Sequence, residues 1–248
     1  MEEKVVVIIP ARYGSTRLPG KVLASLWGKP LIYWVYKTAI SSGIESVWVA
    51  TDDERVAKEV RSFGGKVVMT SPEHPSGTDR IAEAVKILSI SEDTIIVNLQ
   101  ADQPLFPREY FKALVEVFAD LPEASIATLA SPIKDESEVT NPNKVKVVLD
   151  RRGYALYFSR ASIPYSRDGD SSFEYLKHIG VYAYKKAFLD TFVSLPEGRL
   201  EKIEKLEQLR ALENGYKIGV KVVERAFPEV DTPEDLKLLN EKYNPPKE

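Results

Sequence analysis

Cysteine is absent from all 248 residues, which removes disulfide frameworks, thiolate zinc sites, iron–sulfur ligation and cysteine nucleophiles together. That fits a reducing compartment. Histidine is almost as scarce: His74 and His178 are the only two, too few for a metal centre built on imidazoles. Long apolar runs are also missing. The longest, Val5 to Pro10, falls far short of the roughly 20 residues that a membrane-spanning helix needs, and it lacks the flanks of a secretory signal. No membrane insertion is expected, and the expected location is the cytoplasm. A basic surplus is lacking too. Its 34 Lys and Arg face 37 Asp and Glu for a formal charge of -3, so nucleic acid is not an expected partner.

What the chain does have is material for a core, with 44% hydrophobic and 10% aromatic residues. Residues 4–9 (KVVVII) form a β-branched run ended by Pro10, the pattern of a strand buried on both faces of a parallel sheet. Shorter runs of the same kind recur at 46–50, 66–70 and 94–99. Between them, the 3.6-residue spacing predicts helices over 31–39, 53–63 and 79–88. Strand and helix thus alternate through the first hundred residues, which calls for an α/β layered sheet with its ligand beyond the carboxyl ends of the strands.

The pattern changes after Pro132. Residues 144–149 and 154–158 flank a Gly-bearing turn and read as a β-hairpin. Residues 165–172 (YSRDGDSS) form a polar loop, and 174–185 returns to strand character. Leu200, Ile203, Leu206, Leu209 and Leu212 sit at helical spacing and predict one helix that stops at Gly215, before a strand at 217–223. Asp231-Thr232-Pro233-Glu234 opens a last helix that runs to about Tyr243. No repeat or linker divides the chain. The expectation is a single α/β domain over 1–248, with a mixed β excursion at 130–185.

The segment after the first strand, Pro10-Ala11-Arg12-Tyr13-Gly14-Ser15-Thr16-Arg17-Leu18-Pro19-Gly20-Lys21, is the richest in chemistry. Backbone amides, two glycines and three cations there could surround phosphate oxygens. It is not the ATPase P-loop, because five residues separate Gly14 from Gly20 and Val22 replaces the Ser/Thr that would hold magnesium. The plainer alternative is a solvated basic loop.

The whole segment resembles the signature of sugar-acid cytidylyltransferases, and in particular that of the 3-deoxy-manno-octulosonate (Kdo) cytidylyltransferases. Further blocks similar to that family are Ala50-Thr51-Asp52, Ser76-Gly77-Thr78-Asp79-Arg80, Asn98-Leu99-Gln100-Ala101-Asp102-Gln103-Pro104, His178-Ile179-Gly180-Val181-Tyr182, Leu206-Glu207-Gln208-Leu209-Arg210 and Val230-Asp231-Thr232-Pro233-Glu234. The resemblance implies a Rossmann-like, three-layer nucleotidyltransferase fold with a mostly parallel sheet. It also implies transfer of the cytidylyl group of CTP to Kdo, with pyrophosphate released, for lipopolysaccharide biosynthesis. Another sugar acid, such as a sialic acid or amino-Kdo, and a non-catalytic nucleotide-binding protein are the alternatives.

By the same resemblance, Arg12 and Lys21 grip the triphosphate with Arg17 a weaker candidate. Pro10, Ala11, Ser76, Thr78, Arg80 and Gln100 recognise the nucleotide. Asp102 and Asp231 meet as ligands of Mg2+, a hard ion suited to carboxylate oxygens; Asp102 has a secondary role open to it as proton acceptor. Asp231 could instead be a plain N-cap, with Thr232 as the other candidate for that task. Arg160, His178, Tyr182, Glu207 and Gln208 hold the anionic acceptor, whose carboxylate favours Arg or protonated His. A homodimer is implied, with 130–185 a possible dimerisation and sugar-lid region. There, Tyr154, Tyr157 and Phe158 could form an apolar face or fill the monomer's core. Gln103 stands where the family pattern suggests Glu, Ala101 where Gly is usual, and the loop at 166–172 is shorter than in many relatives.

Overall fold

The computed structural model describes residues 4–14, 18–168 and 173–246; Arg17 and loop residues 169–172 lie outside the described residues. Contacts gather into two compact units, Met1–Lys112 with Phe227–Glu248, and Ala113–Ala226. The stretch 130–185 falls wholly inside the second.

The first unit begins with β1 (Val5–Pro10), whose four central residues are buried as its continuous apolar run requires. After one 3-10 turn at Lys21–Leu23 and a small hairpin of β2 (Ser25–Leu26) and β3 (Lys29–Pro30) come α1 (Leu31–Ser41), β4 (Val47–Thr51), α2 (Glu54–Ser62), β5 (Val67–Met69), α3 (Gly77–Ile87) and β6 (Ile95–Asn98). β1 pairs in parallel with β4 on one side and β6 on the other, and β4 carries β5. All four carboxyl ends therefore open on one edge. The expected elements are present, displaced by a residue or two at their ends. Asp53 and Ser76 each accept a backbone N–H, from Arg55 and Asp79, and so start α2 and α3.

α4 (Arg108–Asp120) follows, and the boundary between the units falls inside it. The second unit continues with β7 (Ala124–Pro132), a short α5 (Ser137–Thr140), β8 (Lys146–Leu149), β9 (Ala155–Ser159), β10 (Leu176–Lys185), α6 (Lys186–Ser194), α7 (Arg199–Glu204), α8 (Leu209–Glu213) and β11 (Lys217–Val222). β11 runs parallel to β7, while β10 is antiparallel to both β7 and β8, and β8 to β9. Gly219 lets β11 approach α4, because a Cβ there would lie 2.5 Å from Val117 Cγ1. The helix expected across 200–212 is broken in two. Lys205 takes a left-handed conformation (φ 53°) that ends α7, so Ile203 is left 81% exposed while Leu206 and Leu209 are buried. Of the three aromatics, Tyr154 and Phe158 are core residues, and Leu156 between them is exposed, as are Tyr165 and Phe173 further along the stretch.

α9 (Pro233–Lys242) belongs to the first unit. Its Leu239 and the preceding Val230 are fully buried with Leu26, Leu31, Tyr33 and Trp34. Burying one such aliphatic side chain stabilises by about 1.5–3 kcal/mol, which holds this late segment in place. Among the described residues no helix is long and apolar enough to cross a membrane.

Candidate active site

The open edge of the first unit carries a cavity of about 260 Å³. Pro10 and Arg12 reach it from the end of β1, Gln100 and Asp102 from the turn after β6, and Ser76 and Arg80 from the start of α3; Lys21 and Asp231 complete it. Ala11 and Thr78 are buried and do not line it. Gly20 has φ 67°, a left-handed turn that presents Lys21, and a Cβ there would come within 3.2 Å of the Tyr13 ring. Tyr13 is itself stacked under the Arg55 guanidinium, 3.4 Å from its ring centroid.

Lys21 Nζ donates to Asp102 Oδ2 at 2.7 Å and to Asp231 Oδ1 at 3.3 Å. Two carboxylates from distant parts of the chain are thus aimed at one cation. Burial pushes the Asp102 carboxyl above the usual carboxylate range, the Lys21 ammonium pulls it back, and the charge of Asp231 adds to the rise. The donors are carboxylate oxygens only, the chemistry of a hard divalent cation. Among the described residues no group of three or more His, Cys, Asp or Glu could hold a metal alone. Asp231 does not cap α9. Thr232 does, accepting from the Asp235 N–H at 3.2 Å while Asp235 accepts from the Thr232 N–H at 2.9 Å.

Arg80 is buried, and its Nη1 donates to Thr70 Oγ1 at 2.6 Å and to Ser71 O at 3.3 Å. Burial lowers its pKa, and the positive charge of Arg12 acts in the same direction. Ser76 combines its capping role with a place on the cavity wall. Gln100 Nε2 donates to Asn98 Oδ1 at 2.9 Å, which fixes the amide at the cavity edge. Sequence reasoning gave no role to His74, which also lines the cavity and pairs through Nε2 with Glu83; Glu83 in turn accepts from the Ser71 N–H at 2.7 Å. A histidine in the turn before α3 and a glutamate two turns into it were the available signal.

The five acceptor candidates all lie in the second unit. His178 Nε2 is 3.0 Å from Thr128 Oγ1, and its ring meets those of Phe158 and Tyr182 at 4.9 and 5.5 Å. Burial depresses its pKa to about 3, so near neutrality it is an uncharged imidazole rather than the cation that a carboxylate would prefer. The Tyr182 hydroxyl is pushed well up by burial and by the nearby charges of Tyr184 and Glu207. Arg160 is the positive group: its Nε, Nη1 and Nη2 donate to the carbonyls of Glu204, Pro142 and Lys205. Gln208 is buried, and its Nε2 has no hydrogen-bond partner among the described residues. It is a donor in need of an acceptor.

A cytidylyltransferase family model matches residues 6–218. The chain belongs to the cytidylyltransferase family. It is 53% identical over 242 residues to the 3-deoxy-manno-octulosonate cytidylyltransferase of Vibrio vulnificus (strain CMCP6), covering 95% of this chain and 96% of that one. It is also 53% identical over 236 residues to the 8-amino-3,8-dideoxy-manno-octulosonate cytidylyltransferase of Shewanella pealeana, covering 94% and 96%. A solved structure of CMP:2-keto-3-deoxy-manno-octonic acid synthetase complexed with CTP superposes with a TM-score of 0.90 at 44% identity, over 96% of this chain and 97% of that one. The expected α/β nucleotidyltransferase fold is therefore the observed one, and the cytidylyltransferase is an enzyme of the nucleotidyltransferase class.

Proposed function

We propose that this cytidylyltransferase transfers the cytidylyl group of CTP to the anomeric hydroxyl of Kdo, giving CMP-Kdo and pyrophosphate. The observation that carries the reading is the meeting of Asp102 and Asp231 on Lys21 Nζ at the edge of a cavity lined by Arg12, Gln100 and Ser76. The hydroxyl oxygen forms a bond to the α-phosphorus, the bond to the pyrophosphate oxygen breaks, and the hydroxyl proton departs. A triphosphate brings about four negative charges near neutrality, so Arg12 and Lys21 would act by opposing them in a partly dry site. The flexible stem of Lys21 lets its ammonium turn from the carboxylates to a phosphate oxygen.

Asp102 and Asp231 fit magnesium, which is commonly held by one or two carboxylates with phosphate oxygens and water completing its shell. When bound there, the ion would supply Lewis-acid stabilisation of the α-phosphate and acidify the attacking hydroxyl. A secondary role as proton acceptor is also open to Asp102.

For the acceptor, Arg160 would face the sugar carboxylate, while neutral His178, Tyr182, Glu207 and Gln208 would meet hydroxyls. The orphaned Gln208 Nε2 supports this assignment. The relative from Shewanella pealeana favours one second reading, in which the acceptor is the 8-amino analogue. The working location we propose is the cytoplasm. The proposed homodimer is supported by Leu156 and Ile203, exposed at 62% and 81% in the second unit, and sedimentation checks it.

Incubation with CTP, Mg2+ and Kdo is expected to release pyrophosphate, and kcat/KM across Kdo, 8-amino-Kdo and a sialic acid identifies the acceptor. Asp102→Asn and Asp231→Asn are each expected to lower turnover by about a thousandfold or more with the fold retained. Unchanged turnover in both variants would refute the metal assignment, and CTP binding without turnover for any acceptor would refute the activity.

A further inference from the structure

Beside the two aspartates, a second tie joins the same distant segments. The Val230 N–H donates to the Asp102 carbonyl at 2.9 Å. One residue further on, Gln103 Nε2 donates to Glu229 Oε1 at 2.7 Å. Neither Gln103 nor Glu229 lines the cavity, so neither is placed to ligate an ion or touch the nucleotide.

The chemistry at 103 is specific. Gln103 is only 1% exposed, yet its Oε1 is buried without a hydrogen-bond partner among the described residues. A bare buried carbonyl is unfavourable, so the group of value at this position is the amide NH2. Its acceptor is a carboxylate, which makes this the stronger, charge-assisted kind of hydrogen bond. A carboxylate at 103 would instead face the carboxylate of Glu229, and an apolar side chain would remove the donor.

We infer that the Gln103–Glu229 hydrogen bond is a strut that sets the separation of the Asp102 and Asp231 carboxylates, so that both residues act as positioning residues for the divalent cation. The backbone bond from Val230, the packing of Phe106 on Phe227 at 5.2 Å and the Lys21 bridge hold the two segments together, but none of them is a direct side-chain hydrogen bond from the residue next to Asp102. The Gln103–Glu229 bond is that direct side-chain tie. This inference rests on the magnesium reading proposed above.

The test uses the full chain saturated with CTP, acceptor withheld, with Mn2+ as the probe and electron paramagnetic resonance counting bound ion beyond that carried by the nucleotide. Gln103→Met and Glu229→Ala are each expected to weaken Mn2+ binding by about 10-fold or more, as loss of a group that orients a ligand commonly does. Because they break the same bond, the double variant should be within about threefold of the weaker single one, and Glu229→Gln, which keeps an acceptor, within about threefold of the parent chain. Thermal melting checks each fold. Unchanged affinity in Gln103→Met and Glu229→Ala, or losses that multiply in the double variant, would overturn the strut. Should Gln103→Met fail to fold, the exposed position 229 decides alone, since equal affinities for Glu229→Ala and Glu229→Gln would also overturn it. A parent chain that binds no additional Mn2+ would instead overturn the magnesium reading on which the strut depends.

Discussion

Lys21 offsets two like charges that would otherwise face each other. With its ammonium 2.7 Å from Asp102 and 3.3 Å from Asp231, the chain itself supplies the positive charge that makes the convergent pair tolerable. His178 shows the opposite economy, a titratable group held neutral by burial. Its pKa falls from 6.5 to about 3 on folding, so the unfolded chain binds a proton in this interval that the folded chain refuses. Stability is therefore complete above about pH 6.5 and is lost as pH falls toward 3, by at most about 1.4 kcal/mol per pH unit. The ring retains some solvent contact, which narrows the interval over which this loss accrues rather than altering the slope. Urea unfolding at pH 7 and pH 5 should show a larger drop for the parent chain than for His178→Gln; equal drops would contradict it. The pair Asp102 and Asp231 was legible from motifs, but the neutrality of His178 was not, because burial comes from Phe158, Thr128 and Tyr182 in the folded unit.

At the scale of elements, the start of α9 separates folding from chemistry in adjacent residues. Thr232 caps the helix and Asp231 does not, so Thr232→Ala is expected to destabilise by about 1 kcal/mol with activity largely kept. Asp231→Asn should do the reverse. Denaturation midpoints beside turnover numbers test the contrast, and a stability loss confined to Asp231→Asn would restore the cap reading of that aspartate. The parallel strands of the first unit were readable because β-branched runs such as Val5–Pro10 declare burial on both faces. β7 was not, since its sequence, ASIATLASP, is mostly small and weakly apolar, although seven of its nine residues are buried. α4 did carry a signal: Phe111, Leu114, Val117 and Phe118 follow helical spacing and are buried. The break at Lys205 had none, because a lysine gives no local notice of a positive φ.

On the scale of the whole molecule, the chain leaves its first unit after residue 112 and re-enters it at 227. Removal of 227–248 would delete Asp231 and strip Val230 and Leu239 from the cluster around Trp34. A chain ended at 226 should therefore melt well below the full chain and show red-shifted tryptophan emission, with no transferase activity. An unshifted emission maximum would mean that the cluster survives without its last contributors. Sequence order carried the motifs in family sequence, yet it could not announce this return, because compactness is a property of contacts across the chain rather than of any window along it.

The return also sets a schedule for synthesis. During translation Lys21 and Asp102 emerge early, and their partner Asp231 only after the whole second unit has left the ribosome. Until then the nascent polypeptide carries half of its carboxylate pair and an incomplete hydrophobic cluster beneath it. Completion of the Lys21–aspartate cluster is thus a late event in the life of each molecule, coincident with the closing of its first core.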